Sequence, residues 1–244
     1  MSGLPGDSIF IVIPAFNEER CVGRVVTGIR KFLPKASILV VDDGSADKTG
    51  ACARLASATV LRMPVNSGYG IALQAGLVWA HRMGAQMCIT MDADGQHEPA
   101  ELAKLVRPIS DGDADLVLGS RYLNGSAGYA VPLVRRLGSW IFASVVTRII
   151  GQKISDPTTG FQAMNRKVLG LYASLDEFPE RTPDADLIIY ASLRHCRIIE
   201  VPVLMHADQG PGSMHGLVSS TFYVPRMLAS IASVLASRTR KQVA

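Results

Sequence analysis

Short runs of β-branched and aliphatic residues alternate with helically periodic segments along the first half of this chain, and that alternation most limits the folds open to it. Residues 9–14 read Ile-Phe-Ile-Val-Ile-Pro, apolar throughout and stopped by proline, as a strand buried on both faces does. Asn17 then serves as a helix N-cap, and Glu18 and Glu19 suit the positive end of a helix. Val22, Val25, Val26, Ile29 and Leu33 fall on one face before Pro34. A second buried strand spans 38–41, and a helix 47–57. A strand at 59–63, a helix at 69–83, a strand at 87–91, a helix opening at Pro99 and a strand at 115–118 continue the order. Such alternation implies right-handed crossovers and a mostly parallel sheet covered on both faces, a Rossmann-like α/β architecture.

Beyond Tyr122 the pattern loosens: a long helix over 132–150, a loop at 155–160, a helix over 183–195, a strand over 197–204 and a terminal helix. With 244 residues and no long linker, the chain reads as one domain over 1–216. Its first half spans about 9–121 and its second about 122–216, followed by an amphipathic helix and basic tail over 217–244. Hydrophobic residues make up 48% and charged residues 19%, which excludes disorder. The net charge of +4 is mild, and the one basic cluster is the tail Arg238, Arg240 and Lys241, so nucleic acid is not expected as a partner. Cys21, Cys52, Cys88 and Cys196 form no C-x-x-C pair and read as free thiols. The most apolar stretch, 222–236, is too short to span a bilayer and is interrupted by Pro225 and Arg226.

In an open parallel sheet, ligands bind beyond the carboxyl ends of the strands. Four such positions carry polar or glycine-rich segments: Pro14-Ala-Phe-Asn-Glu-Glu, Asp42-Asp-Gly-Ser, Asn66-Ser-Gly-Tyr-Gly and Asp92-Ala-Asp-Gly-Gln-His. Each alone also reads as a turn with a helix cap; on one rim together they point to a ligand site. Asp92 and Asp94 are two carboxylates that can turn towards one divalent cation carrying a diphosphate, which suits Mg²⁺ or Mn²⁺. Gln96 can add a carbonyl oxygen and His97 an imidazole, while the bland alternative makes Asp94 a turn or cap residue before Pro99. Arg121 can grip phosphate oxygens through two parallel hydrogen bonds, or serve in a strand-end ion pair.

Taken in order, Ile-Pro-Ala-Phe-Asn-Glu-Glu, Val-Asp-Asp-Gly-Ser-x-Asp-x-Thr, Asn-x-Gly-x-Gly-x-Ala, Asp-Ala-Asp-x-Gln-His and Gly-Ser-Arg-Tyr resemble a family 2 glycosyltransferase of the A-type fold. Downstream, Asp156-Pro-Thr-Thr-Gly-Phe-Gln, Glu200-Val-Pro-Val and Gly212-Ser213 resemble the dolichol-phosphate and polyprenyl-phosphate sugar synthases within it. The resemblance implies a donor set of Pro14, Phe16, Glu18, Asp42, Asp43, Asp92, Ala93 and Asp94. Within it, Pro14, Phe16 and Glu18 line the nucleoside pocket, and Asp42 and Asp43 accept from the base. It also implies a cation on Asp92, Asp94 and Gln96, and catalytic roles for Asp94, Arg121 and Asp156. Arg121, Arg135, Arg136 and Ser213 are the candidates for the acceptor phosphate. His206 and His215 stand where such synthases carry basic residues.

The activity implied is an inverting, metal-dependent transfer of a sugar from a nucleoside-diphosphate sugar to a polyprenyl phosphate at the cytoplasmic membrane face. Contact with the bilayer would come through the chain's surface, its terminal helix or a small membrane-anchor protein, and that helix can also join copies of the chain. A hydroxyl acceptor would need a general base, for which Asp184 and Asp186 stand at a helix start; these also read as charges suited to a helix N-terminus. From another class, a non-catalytic nucleotide-binding module is the competing reading. A dinucleotide oxidoreductase is disfavoured, because Gly68-Tyr69-Gly70 lacks a third glycine and does not follow the first strand.

Overall fold

A computed structural model describes residues 8–123, 133–175, 178 and 183–206. Seven strands form one sheet in the order β3-β2-β1-β4-β6-β5-β7, comprising β1 (Ile9–Ala15), β2 (Ser37–Asp42), β3 (Thr59–Arg62), β4 (Met87–Thr90), β5 (Leu116–Ser120), β6 (Gln162–Asn165) and β7 (Ile198–Pro202). The helices are α1 (Val22–Phe32), α2 (Thr49–Leu55), α3 (Tyr69–Arg82), α4 (Leu102–Ser110), α5 (Leu133–Ile150), α6 (Arg166–Ala173) and α7 (Pro183–Leu193), with a 3₁₀ turn at Pro99–Glu101 leading into α4. The anticipated α/β class holds.

The unbroken apolar run of β1 is divided by the two-residue period of a strand. Phe10 and Val12 join Leu39, Val41, Leu73, Leu77 and Tyr172 on one face, while Ile9, Ile11 and Ile13 join Ile38, Val40, Val26, Ile29 and Leu105 on the other. Both faces are therefore dry, and α3, α5, α6 and α7 supply the first core while α1, α2 and α4 supply the second. α3 comes closest of all to the sheet. A Cβ at Gly76 would lie 2.3 Å from Val12 Cγ1 and 3.1 Å from Val41 Cγ2.

Two expectations need correction. Asn17 is not the N-cap of α1, which starts at Val22 after Cys21; instead Asn17 takes a left-handed backbone (φ 57°) and the carbonyl of Glu18 accepts from Cys21 and Val22. The sheet is mostly parallel, as anticipated, with one reversed strand: β6 pairs antiparallel with both β4 and β5. β6 and α6 form where no element was anticipated. The free-thiol reading agrees with four unpaired cysteines, of which Cys21, Cys88 and Cys196 are buried. Among the described residues no helix is long and apolar enough to cross a membrane. The terminal helix and tail over 217–244 lie outside the described residues.

Because Val12 is branched at Cβ and sits on an interior strand, it cannot rotate away from an added methyl. Gly76→Ala is expected to lower unfolding stability by about 1–3 kcal/mol through overpacking, measured as a fall in the denaturation midpoint without change in slope.

Candidate functional site

The loops after β1 and β2 are built from one another. The amide of Asn17 donates to Ser45 Oγ at 3.0 Å and the amide of Ala46 donates back to Asn17 Oδ1 at 2.9 Å. Glu18 N donates to Thr49 Oγ1, Glu19 N to Asp47 Oδ2 and Lys48 N to Glu19 Oε2. Asn-Glu-Glu and Gly-Ser-x-Asp-x-Thr therefore recur as two halves of a single brace, whose floor is the buried Pro14 and the half-buried Phe16 and Glu18.

Asp42 and Asp43 organise this brace. Asp42 is fully buried: its Oδ1 accepts from Ser45 N at 3.0 Å, its Oδ2 pairs with Arg62 at 3.4 Å, and Gly50 leaves the room, since a Cβ there would stand 2.7 Å from Oδ2. A carboxylate so enclosed presents no surface to a nucleobase, which corrects the role expected for Asp42. Asp43 receives the amides of Ser67 and Gly68, one on each oxygen at 2.8 Å, and thereby ties the glycine-rich turn before α3 to the end of β2.

Asp92 and Asp94 leave β4 together. The side chain of Asp92 is 32% exposed, with Tyr69 O–H donating to its Oδ1 at 3.3 Å and His97 Nε2 lying 3.5 Å from its Oδ2. Asp94 accepts from Gln96 twice, from the amide at 2.9 Å and from Nε2 at 2.6 Å. Burial and the neighbouring Asp92 charge push the Asp94 carboxyl above its usual range. Ala93 between them is buried. His97 is buried, stacks on Phe161 with centroids 4.8 Å apart, and has its pKa pushed down to about 4 by that burial.

These contacts sort the expected cation ligands. Gln96 turns its amide nitrogen to Asp94 and so orients a carboxylate. His97 accepts from the Asp92 amide at Nδ1 (3.1 Å) and faces the Asp92 carboxylate with Nε2, so its ring is not a ligand. Asp92, Asp94 and the Gln96 carbonyl oxygen remain, only the Gln96 amide nitrogen being taken up by Asp94. Among the described residues no group of three or more His, Cys, Asp or Glu is arranged to hold a metal. Two carboxylates without a third fit Mg²⁺ or Mn²⁺, which keep water and substrate phosphates in their coordination shells, and not a closed zinc cage.

Across from this pair, β5 ends at Ser120 and the chain turns through Arg121. Its guanidinium binds Asp156 bidentately, Nε to Oδ2 at 2.8 Å and Nη2 to Oδ1 at 2.9 Å, and the Arg121 amide adds a bond to Oδ2 at 3.1 Å. Although burial works against its charge, Asp156 holds Arg121 more firmly protonated than a free arginine. The two parallel hydrogen bonds expected for phosphate are thus made inside the protein. Asp156 is 0% exposed and fully engaged, which corrects its expected catalytic role: it holds Arg121 in place.

Glu200 in β7 completes this chain of contacts by accepting from Ser155 N, Ser155 Oγ and Asp156 N at 2.8–3.0 Å. Burial pushes its carboxyl up, against the pull of those donors. Glu-Val-Pro-Val had marked the residue without giving it a role; an acidic side chain inside an apolar strand is itself the signal, because burial demands donors. Gly160 was likewise missed. A Cβ there would stand 3.1 and 3.2 Å from the Asp92 oxygens. Arg135 and Arg136 fall in the first turn of α5, with side chains outside the described residues, as is that of Asp184; Ser213 and His215 lie outside them altogether. Asp186 is 1% exposed.

A family model for glycosyl transferase family 2 matches residues 10–171, which takes in both braced loops, the Asp92–His97 loop, Arg121 and Asp156. The chain belongs to glycosyl transferase family 2. This glycosyltransferase is 30% identical over 216 residues to an undecaprenyl-phosphate mannosyltransferase of Micrococcus luteus, covering 85% of this chain and 88% of that one. It is 39% identical over 172 residues to a polyprenol monophosphomannose synthase of Mycolicibacterium smegmatis, covering 68% and 64%. Its fold matches glucosyl-3-phosphoglycerate synthase from Mycobacterium tuberculosis, solved with Mn²⁺ and uridine-diphosphate-glucose. That match has a TM-score of 0.72 at 23% identity, over 93% of this chain and 78% of that one.

Removing one partner of a buried ion pair leaves the other uncompensated. Asp156→Ala is expected to destabilise the glycosyltransferase by about 3 kcal/mol. Arg121→Ala/Asp156→Ala is expected to lose less than the sum of the single changes, read from a double-mutant cycle of chemical denaturation.

Proposed function

We propose that this chain transfers a sugar from a nucleoside-diphosphate sugar to a polyprenyl phosphate, with Mg²⁺ or Mn²⁺ and with inversion at the anomeric carbon. The observation that carries the reading is the pairing, on one rim, of an acidic site with a fixed cationic one: Asp92 and Asp94 just after β4, and Arg121 just after β5, with only β6 between the two strands. Two of the relatives are named polyprenol monophosphomannose synthase and undecaprenyl-phosphate mannosyltransferase, which supports the lipid acceptor.

A bound cation would supply charge neutralisation to the departing nucleoside diphosphate. The chain's own residues do the rest. Asp92, Asp94 and Gln96 hold the cation, and Tyr69 and His97 steady Asp92. Pro14, Phe16, Glu18 and Asp43 form the nucleoside end of the site, each Asp43 oxygen having a further lone pair beyond the one its backbone donor uses. Arg121 offers a positive charge of fixed position to the acceptor phosphate, joined by Arg135, Arg136 and Ser213. A phosphomonoester, with its second pKa near ~6, is already largely dianionic at neutral pH. It therefore needs placement and charge compensation, and no side chain has to remove a proton. The lipid is met at the cytoplasmic membrane face, by the protein's surface or through an anchor protein.

The test is incubation of the full chain with Mn²⁺, polyprenyl phosphate and radiolabelled uridine- or guanosine-diphosphate sugars. An organic-phase product that disappears with chelator is expected, and Asp94→Ala should lower its rate by roughly 10²-fold or more. Product confined to the aqueous phase would move the reading to a hydroxyl acceptor. No product with any donor would leave a binding module, and a retained anomer in the proton couplings would remove inversion.

A further inference from the structure

His97 has both ring nitrogens turned on a single residue. Its Nδ1 accepts the backbone N–H of Asp92 at 3.1 Å, and its Nε2 lies 3.5 Å from Asp92 Oδ2. A nitrogen that accepts an N–H carries no proton, so the ring is neutral and its one hydrogen is on Nε2, facing the carboxylate. Main chain and side chain of Asp92 are thus referred to the same plane.

That plane is itself fixed from three sides. The ring is 4% exposed and lies nearly parallel to Phe161, at an interplanar angle of 12°. Its backbone pairs with Met205 in an antiparallel bridge, and the amide of His206 donates to the carbonyl of Gln96 at 2.8 Å. Gly95, at φ 81°, makes the turn that brings residue 97 back over residue 92. Tyr69 O–H meets the other carboxylate oxygen, Oδ1, at 3.3 Å.

We infer that His97 is a positioning residue for Asp92, a neutral Nε2–H donor that aims the carboxylate at the cation without competing for its charge. The inference rests on the reading of Asp92 and Asp94 as the cation's carboxylates. A neutral donor is the right kind for this position, because a lysine or arginine there would cancel part of the charge the cation needs. Partners of this kind behind a ligand are worth about 10–100-fold in metal affinity.

The experiment uses the full chain. Mn²⁺ is titrated by electron paramagnetic resonance in the presence of uridine diphosphate and, separately, guanosine diphosphate; nucleotide binding is also measured with chelator present. His97→Phe preserves the stack on Phe161 and removes both the acceptor for the Asp92 amide and the Nε2–H that faces its carboxylate. It is expected to weaken Mn²⁺ binding about 10–100-fold and to leave metal-free nucleotide binding unchanged. His97→Asn, which can restore the bond to the Asp92 amide alone, should fall between. Nitrogen-15 spectra of the unsubstituted protein should show the His97 proton on Nε2. Wild-type Mn²⁺ affinity in His97→Phe, or a proton on Nδ1, would overturn the inference while leaving the cation site intact. If the unsubstituted chain binds no Mn²⁺ with either nucleotide, the cation reading itself fails and the inference with it. Should His97→Phe not fold, the nitrogen-15 measurement still decides.

Discussion

β6 runs against both of its neighbours, so the end at which it enters the sheet is the end at which β4 and β5 leave it. That reversal delivers the Asp156–Phe161 loop to the carboxyl rim, between the Asp92–Asp94 loop and Arg121. Two threonines fix it there: Thr90 Oγ1 donates to Gly160 O, and Thr159 Oγ1 to Gly119 O, each at 2.7 Å. Had β6 been parallel, Asp156 would lie at the far edge of the sheet and Arg121 would have no internal partner. The missing Cβ of Gly160 then lets the loop close directly on Asp92.

The rim is divided by the kind of donor each charge receives. Around Asp92 and Asp94 the contacts come from neutral groups: Tyr69 and Gln96 donate to the carboxylates, and His97 accepts the Asp92 amide and faces its carboxylate with Nε2. Around Arg121 the partner is an ionised side chain, enclosed and held in turn through Glu200. One half of the rim is built to keep negative charge available; the other keeps a single guanidinium from swinging. Neutral scaffolding on one side and ionic scaffolding on the other is what a site needs if a cation arrives with one substrate and an anion is presented by another.

Much of the fold was legible because burial on both faces leaves an unmistakable apolar run, as in β1, β2 and β4. The element that reorganises the sheet was not. Gln162-Ala-Met-Asn is four residues long, carries no β-branched side chain and starts and ends on amides. Asn17 was misread because its side chain suits a cap equally well; only the approach of Ala46, 29 residues away, shows where it goes. At the site, strand ends pointed to Asp92, Asp94 and Arg121 correctly as residues of the rim. Their partners were not deducible. Whether an arginine fork grips a ligand or Asp156 is settled by which loop packs beside it, and spacing along the chain does not carry that information.

Glu200 braces Ser155 and Asp156, and His206 reaches back to Glu98, 108 residues earlier, while its amide holds Gln96. Arg121 and the Asp92–His97 loop therefore wait on residues 198–206, while the braced loops after β1 and β2 do not. During synthesis, the first half of the chain can bury its strands, but neither Arg121 nor the Asp92–His97 loop has its final support until residue 206 has emerged. Because these contacts are so far apart in sequence, they are among the last whose closure entropy is recovered. Nascent chains stopped short of β7 would hold the braced loops after β1 and β2 but lack the contacts that fix Arg121 and the Asp92–His97 loop, so the two halves of the rim are completed at different times.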